Sequence, residues 1–318
     1  MLDNIGLITA MAFLLDVIVG DPGWIPHPVI LIGKAIGFME NLSRRISNNP
    51  AILKFMGFVT VFIIVGCSWC LTWFVMRWVF NFNFWAGAVL SIWLISTTIA
   101  ARGLSRAAME IYSLLQNNNL DAARRKVGLI VGRDTGNMEP GDVIRATVET
   151  VSENIVDGVV APVFYAFLGG APLAMAYRAV NTLDSMLGYK NERYINYGMA
   201  SARFDDLINY IPARLTGIFL LAASRILKMR TREAYEAVLR DASGHPSPNS
   251  GIPESAVAGA LGVRLGGLNY YNGCGSFRAY MGKDLMPLEP LHIRQAVRLM
   301  YVASAIAVLT GYYLSYIF

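Results

Sequence analysis

The residues of this chain that can do chemistry are clustered. Ten of its 22 acids fall between positions 134 and 206: Asp134, Glu139, Asp142, Glu149, Glu153, Asp157, Asp184, Glu192, Asp205 and Asp206. On a helix, Arg145, Glu149, Glu153 and Asp157 recur every four residues and form one ridge. Three carboxylates in a row repel one another unless a cation sits among them. Mg²⁺ suits such a place, because it takes one or two carboxylates and completes its shell with phosphates and water. The plainer alternative is a solvated helix face carrying an Arg145–Glu149 pair.

Four more polar islands follow the same logic. In Tyr177–Tyr189, Arg178, Asn181 and Ser185 align on one helix face beside Asp184. The competing reading is a polar stripe that satisfies neighbouring helices. In Arg203–Arg214, adjacent Asp205 and Asp206 resemble a divalent-metal or phosphate–metal pair, and Arg214 follows Pro212 where a broken helix would restart. Acids near a helix N-terminus are the bland account of that pair. The stretch Asp241–Glu254, DASGHPSPNSGIPE, is a loop by composition. Its Pro and Gly residues can aim backbone N–H groups at an anion, with His245 as an acid, base or phosphate contact and Ser247 and Asn249 beside it. Pro253-Glu254 then opens a small-residue helix through Gly262. Near the N-terminus, His27 stands between Pro26 and Pro28. Lone loop histidines are ordinarily just exposed, but stiff flanking prolines favour a placed one.

The elements that hold these islands lie in a membrane. Apolar residues make up 55% of the 318 and charged residues only 15%, with mean hydropathy +0.44, against about 25% charged in soluble domains. Disorder is excluded by the same apolar content. Runs near 5–20, 55–76, 84–101 and 296–318 read as spans, the first as a span or half-span that carries Asp16. Two further runs, 158–180 and 207–227, are interrupted by Gly169-Gly170-Ala171-Pro172 and by Pro212, Arg214 and Gly217. Irregular backbone at membrane depth is tolerated only where protein or a polar cavity satisfies it, so these predict discontinuous or re-entrant helices that line a site. The expected fold is all-α and polytopic, a single membrane-embedded domain over 1–318, with helical stretches at 102–157 and 228–240. Basic loops at 21–54, 102–157 and 228–295 predict a cytoplasmic face for all three and an N-terminus outside. Trp69, Trp73, Trp78 and Trp85 read as an interfacial belt. There is no nucleotide-binding glycine loop of standard form and no structural zinc spacing. Cys67 and Cys70 lie inside a span, and three cysteines are too few for a disulfide framework.

Six strings in order resemble the adenosylcobinamide-phosphate synthase family of cobalamin biosynthesis. They are Asp21-Pro22 with Pro26-His27-Pro28-Val29; Gly132-Arg133-Asp134-Thr135; ETVSENIVDGVVAP from Glu149; YRAVNTLDSMLGY from Tyr177; ARFDDLINYIPARLTG from Ala202; and HPSPNSGIPESAVAGALGVRLGG from His245. Together they span most of residues 16–290. Ser250 stands where the family pattern has alanine, a conservative departure.

The resemblance implies an ATP-dependent amide ligase that joins cobyric acid, a corrinoid, to (R)-1-amino-2-propanol or its O-phosphate at the cytoplasmic membrane. A carboxylate is a poor electrophile and is usually activated as an acyl phosphate, a transfer governed by positioning and charge neutralisation. On this reading Glu149, Glu153, Asp157, Asp205 and Asp206 include the Mg²⁺ ligands, with Glu153 also placed among the catalytic groups. Arg133, Arg178, Arg203 and Arg214 hold phosphates and the corrin carboxylate, since guanidinium matches both bidentately. His27, Asn181, Ser247 and Asn249 add substrate contacts, the 245–251 loop covers phosphates with His245 as contact or proton shuttle, and one carboxylate, for example Asp184, takes the amine's proton. The bilayer and other cobalamin-assembly enzymes are further expected partners; nucleic acid is not. A transporter of an anionic substrate is the rival reading, because broken helices lined with charge serve that purpose too. Long polar loops and the lack of an inverted repeat count against it.

Overall fold

A computed structural model describes residues 5–22, 27–189, 191–271 and 273–317. The chain is helical nearly throughout. Among the described residues four helical runs are long and apolar enough to cross a bilayer: Pro50–Phe82, Phe84–Gln116, Pro140–Leu187 and Leu291–Ile317. A bent pair, Met199–Ile208 and Tyr210–Ile226, supplies a fifth if it counts as one span. The protein is therefore an all-α, multi-pass membrane protein. Helix α1 (Ile5–Ile18) has 14 residues and is about 21 Å long, short of a bilayer core of about 30 Å.

Contacts gather into two compact units, neither of them continuous in sequence: residues 1–100, 161–209 and 308–318 form the first, and 101–160 and 210–307 the second. In the first unit, α8 (Ala161–Leu187) packs against α1, α2 (Pro28–Ile46), α3 (Pro50–Phe82), α4 (Phe84–Ser96) and α9 (Met199–Ile208). Ile36, Leu183, Leu187 and Tyr197 lie at the centre of that core, each almost fully buried. The Tyr197 hydroxyl, which cannot be left bare in an apolar core, meets Thr60 Oγ1 at 2.7 Å.

Helix α8 breaks where the sequence predicts. Gly169 and Gly170 leave helical geometry, with φ/ψ of −154°/22° and 64°/−156°. The second pair of angles belongs to a region that essentially only glycine occupies, and Pro172 follows. The other predicted break is real but lies elsewhere. Helices α9 and α10 (Tyr210–Ile226) meet at 48° around Asn209, not at Pro212–Gly217. Pro212 falls in the first turn of α10, where a missing N–H has no helical partner to lose.

In the second unit, α5 (Ala101–Gln116) and α6 (Leu120–Val127) pack on α7 (Pro140–Ile155). Helix α12 (Gly251–Leu261), rich in Ala and Gly, packs on α7, α10 and α11 (Thr231–Asp241). Its small side chains let neighbours approach closely, and nearly every residue of it is buried. A helical stretch at 228–240 was expected, and α11 supplies it. The sequence reading contained no strand, yet β1 (Leu265–Tyr271) and β2 (Cys274–Met281) form an antiparallel hairpin. Asn272-Gly273 between aromatic-rich runs was the available signal. Helix α13 (Leu291–Ile317) completes the chain.

Candidate active site

Helix α7 starts firmly. Pro140 occupies its first turn, and Glu139 and Asp142 form a reciprocal capping box. One of its faces is buried and presents Glu149 to the hairpin. Arg133, from the loop before α7, donates to Glu149 Oε2 at 2.6 Å, both side chains being under a tenth exposed. The Gly266 N–H donates to Glu149 Oε1 at 2.7 Å. Arg133 also donates to Asn269 Oδ1 on β1. Arg145 fastens the hairpin to α7 through the carbonyls of Gly266 and Leu268, the latter at 3.1 Å. Gly266 has φ +83°, and a Cβ there would run into the Ala279 carbonyl. That glycine is what lets a backbone N–H reach the buried carboxylate.

One helical turn on, Glu153 accepts from Ser250 Oγ at 3.2 Å. Ser250 precedes α12, and Glu254 in that helix's first turn is buried. Glu254 Oε1 lies 3.5 Å from His245 Nε2, with both side chains under a tenth exposed. Neither of these two atoms makes a hydrogen bond among the described residues. His245 Nδ1 lies 3.0 Å from the Ser247 N–H and 3.3 Å from the Ser247 carbonyl, while Nε2 faces Glu254. Burial, reinforced by Glu153 and Glu149, raises the Glu254 carboxyl well above the usual carboxylate range. Burial lowers the His245 imidazole, partly offset by Glu153. Two buried groups that prefer to be neutral thus face each other. The loop between them is folded by Ser247, whose Oγ accepts from the Asn249 N–H at 3.3 Å. Arg214 of α10 holds it from outside, donating to Asn249 Oδ1 at 3.0 Å and lying 3.3 Å over the Tyr210 ring.

The sequence-derived candidates therefore divide. Arg133, Glu149, Glu153, Asp157, Arg214, His245, Ser247 and Asn249 belong to the second unit, whereas His27, Arg178, Asn181, Asp184, Arg203, Asp205 and Asp206 belong to the first. Arg133, Glu149, Glu153, His245 and the 247–249 loop are brought together. Asp157 falls in a π-turn at Val156–Val160, where the regular four-residue spacing of an α-helix no longer applies. In the first unit, His27 caps α2: its Nδ1 accepts from the Val29 N–H at 3.3 Å and its Nε2 faces Asp21 at 3.2 Å. Arg178 donates to Asn181 at 3.2 Å on α8. Asp205 accepts from Asn209 at 2.9 Å, and Asn209 accepts from the Tyr177 hydroxyl at 2.9 Å. That chain satisfies polar groups where α9 gives way to α10. Among the described residues no three of His, Cys, Asp and Glu gather as a metal site. Glu254, Asn269 and Arg278 were missed from sequence. Arg278, on β2, supplies positive potential to both His245 and Glu254.

Fold and site define a class, a multi-pass helical membrane protein with a buried acid–base cluster shared by α7, the start of α12 and the hairpin. Residues 9–300 match the family model described as CobD/Cbib protein. The chain is 46% identical over 304 residues to "Cobalamin biosynthesis protein CobD" of Geobacter metallireducens, covering 96% of this chain and 95% of that protein. It is 44% identical over 301 residues to "Cobalamin biosynthesis protein CbiB" of Salmonella typhi, covering 95% and 94%, and 43% identical to the CobD protein of Klebsiella pneumoniae over the same length. No solved structure matches. The chain belongs to the CobD/CbiB family, and its role lies in cobalamin biosynthesis.

Proposed function

We propose that the protein is an ATP-dependent amide ligase that joins adenosylcobyric acid to (R)-1-amino-2-propanol or its O-phosphate, with the reaction facing the cytoplasm. The observation that carries this reading is the buried Arg133–Glu149–Glu153–His245–Glu254 cluster in a chain whose relatives are named as cobalamin biosynthesis proteins. Bound nucleotide with Mg²⁺ supplies the phosphoryl group that turns a carboxylate into an electrophile. The donor set fits Mg²⁺ only in a phosphate-rich form. Glu149 directs one oxygen to Arg133 and the other to Gly266, so Glu153 and Asp157 are the remaining oxygen donors of this unit. Mg²⁺ that takes most of its ligands from phosphates and water needs no more than one or two of them.

Each remaining residue has a role in this scheme. Arg214 with Asn249 orders the loop, whose Ser247 and Asn249 would contact phosphate. Arg178 and Arg203 offer guanidinium to substrate carboxylate or phosphate, with Asn181 and His27 as further polar contacts. His245 moves a proton at Nε2. Asp184 or Glu153 accepts the proton that the amine must lose before it attacks. The test is nucleotide turnover by detergent-purified protein. ATP consumption that requires both cobyric acid and aminopropanol phosphate is the expected result. Absence of that dependence, or ATP-independent uptake of an anionic substrate into vesicles, overturns the ligase reading.

A further inference from the structure

The second unit carries a cleft of about 750 Å³ that the reading above does not use. One wall is the loop before α7, with Asp134, Gly136 and Asn137; the other is β1 with Leu268, Asn269 and Tyr270. The walls are tied together. The Gly273 N–H donates to Asp134 Oδ2 at 2.7 Å, and the Asp134 N–H donates to the Tyr270 carbonyl at 2.8 Å. The cleft is thus a built cavity.

Size and charge select its occupant. Pockets of about 300–1,000 Å³ bury most of the surface of a drug-sized ligand, so a three-carbon amino alcohol would leave most of this space empty. Asp134 and Asp142 line it, while the lining Arg145 is already engaged by Asp142 at 3.1 Å and by the hairpin carbonyls. A triphosphate would face two carboxylates there without an uncommitted guanidinium from Arg145, which disfavours nucleotide. The same carboxylates and the amide oxygen of Asn137 can accept N–H donors. Leu268 and Tyr270, 50% and 49% exposed, offer apolar surface to a flat body. Asn269 also receives Arg133, so one cleft wall is continuous with the buried cluster.

We infer that this cleft seats a bulky macrocycle rimmed with carboxamide groups, the corrinoid substrate, with Asp134, Asp142 and Asn137 taking its amide N–H groups and Tyr270 covering its apolar body. The inference rests on the proposed ligase reading and adds where the large substrate sits. Gly136 provides the probe. A Cβ added there meets nothing within 4 Å, and its backbone is not left-handed, so the backbone accepts a side chain there and Gly136→Phe is expected to occupy the cleft. Full-length protein in detergent is titrated with cobyric acid, followed by quenching of its tryptophan fluorescence. Gly136→Phe and, separately, Tyr270→Ala are expected to weaken binding by about tenfold or more, as loss of a central contact does, with unchanged melting temperatures. Wild-type affinity in both variants overturns the placement and leaves the ligase reading standing. Failure of the wild-type protein to bind cobyric acid overturns both.

Discussion

Arg133 and Glu149 show how a single residue is held in this protein. Removing one partner of a buried ion pair strands the other charge and costs about 3–5 kcal/mol. Arg133→Ala should therefore lower the thermal stability of the detergent-solubilised protein markedly, and adding Glu149→Gln should recover part of the loss; strict additivity of the two would show that the pair is not coupled. Glu254 gives a pH signature. Its raised carboxyl keeps a proton that the unfolded chain releases near pH 4.3, about the ordinary value, so stability declines as pH climbs from there towards the folded-state value. The lowered His245 imidazole acts on the other limb, where stability falls as pH drops below about 6.5 and the unfolded chain takes its proton first. Glu254→Gln should gain stability relative to wild type as pH rises, while the acid limb keeps its shape. A difference between the two melting curves that stays constant with pH would remove Glu254 as a proton-linked group. Glu254 was legible only as an acid at the opening of a helix: its burial and its approach to His245 depend on how the loop before α12 folds back onto that helix's first turn. His27 was visible, but its cap on α2 is a use that short polar side chains make of any helix start.

At the scale of elements, apolar length and glycine–proline punctuation were legible, because they report local backbone physics. The Gly169–Gly170 break is the clearest case. Gly170→Ala places a Cβ at φ 64°, ψ −156°, which costs about 1–3 kcal/mol, and should reduce stability by that order while leaving helical content by circular dichroism near wild type. A neutral substitution would mean that the α8 kink is not a fixed feature. The bend at Asn209 was misplaced because proline was read as a breaker without asking where in the helix it falls. The π-turn at Val156–Val160 had no signal at all in VDGVV, since an i→i+5 turn is chosen by packing and not by residue type. The same turn interrupts the four-residue spacing between Glu153 and Asp157, whereas Arg145, Glu149 and Glu153 all lie on α7. The hairpin escaped because 228–295 reads as a polar basic loop, and three glycines in its two short strands dilute any alternating pattern.

The whole molecule offers its own test of orientation. Cys67 and Cys70 are exposed on α3 within a span, whereas Cys274 is exposed on the hairpin. If the basic loops face the cytoplasm, a membrane-impermeant maleimide should label Cys274 in inverted vesicles and not in right-side-out ones; the reverse pattern would turn the protein over. Helix α3 adds a constraint of a different kind. Its 33 residues reach about 50 Å, and only 22% of its most apolar window is covered by the rest of the protein. Lys54 and Arg77 are its only charges, and their separation of 23 positions measures about 35 Å. These two side chains thus act as floats set slightly wider than a typical hydrocarbon slab of about 30 Å, so the helix must lean, or the surrounding lipid must stretch. Acyl-chain length in the host membrane accordingly becomes a variable of this protein's posture.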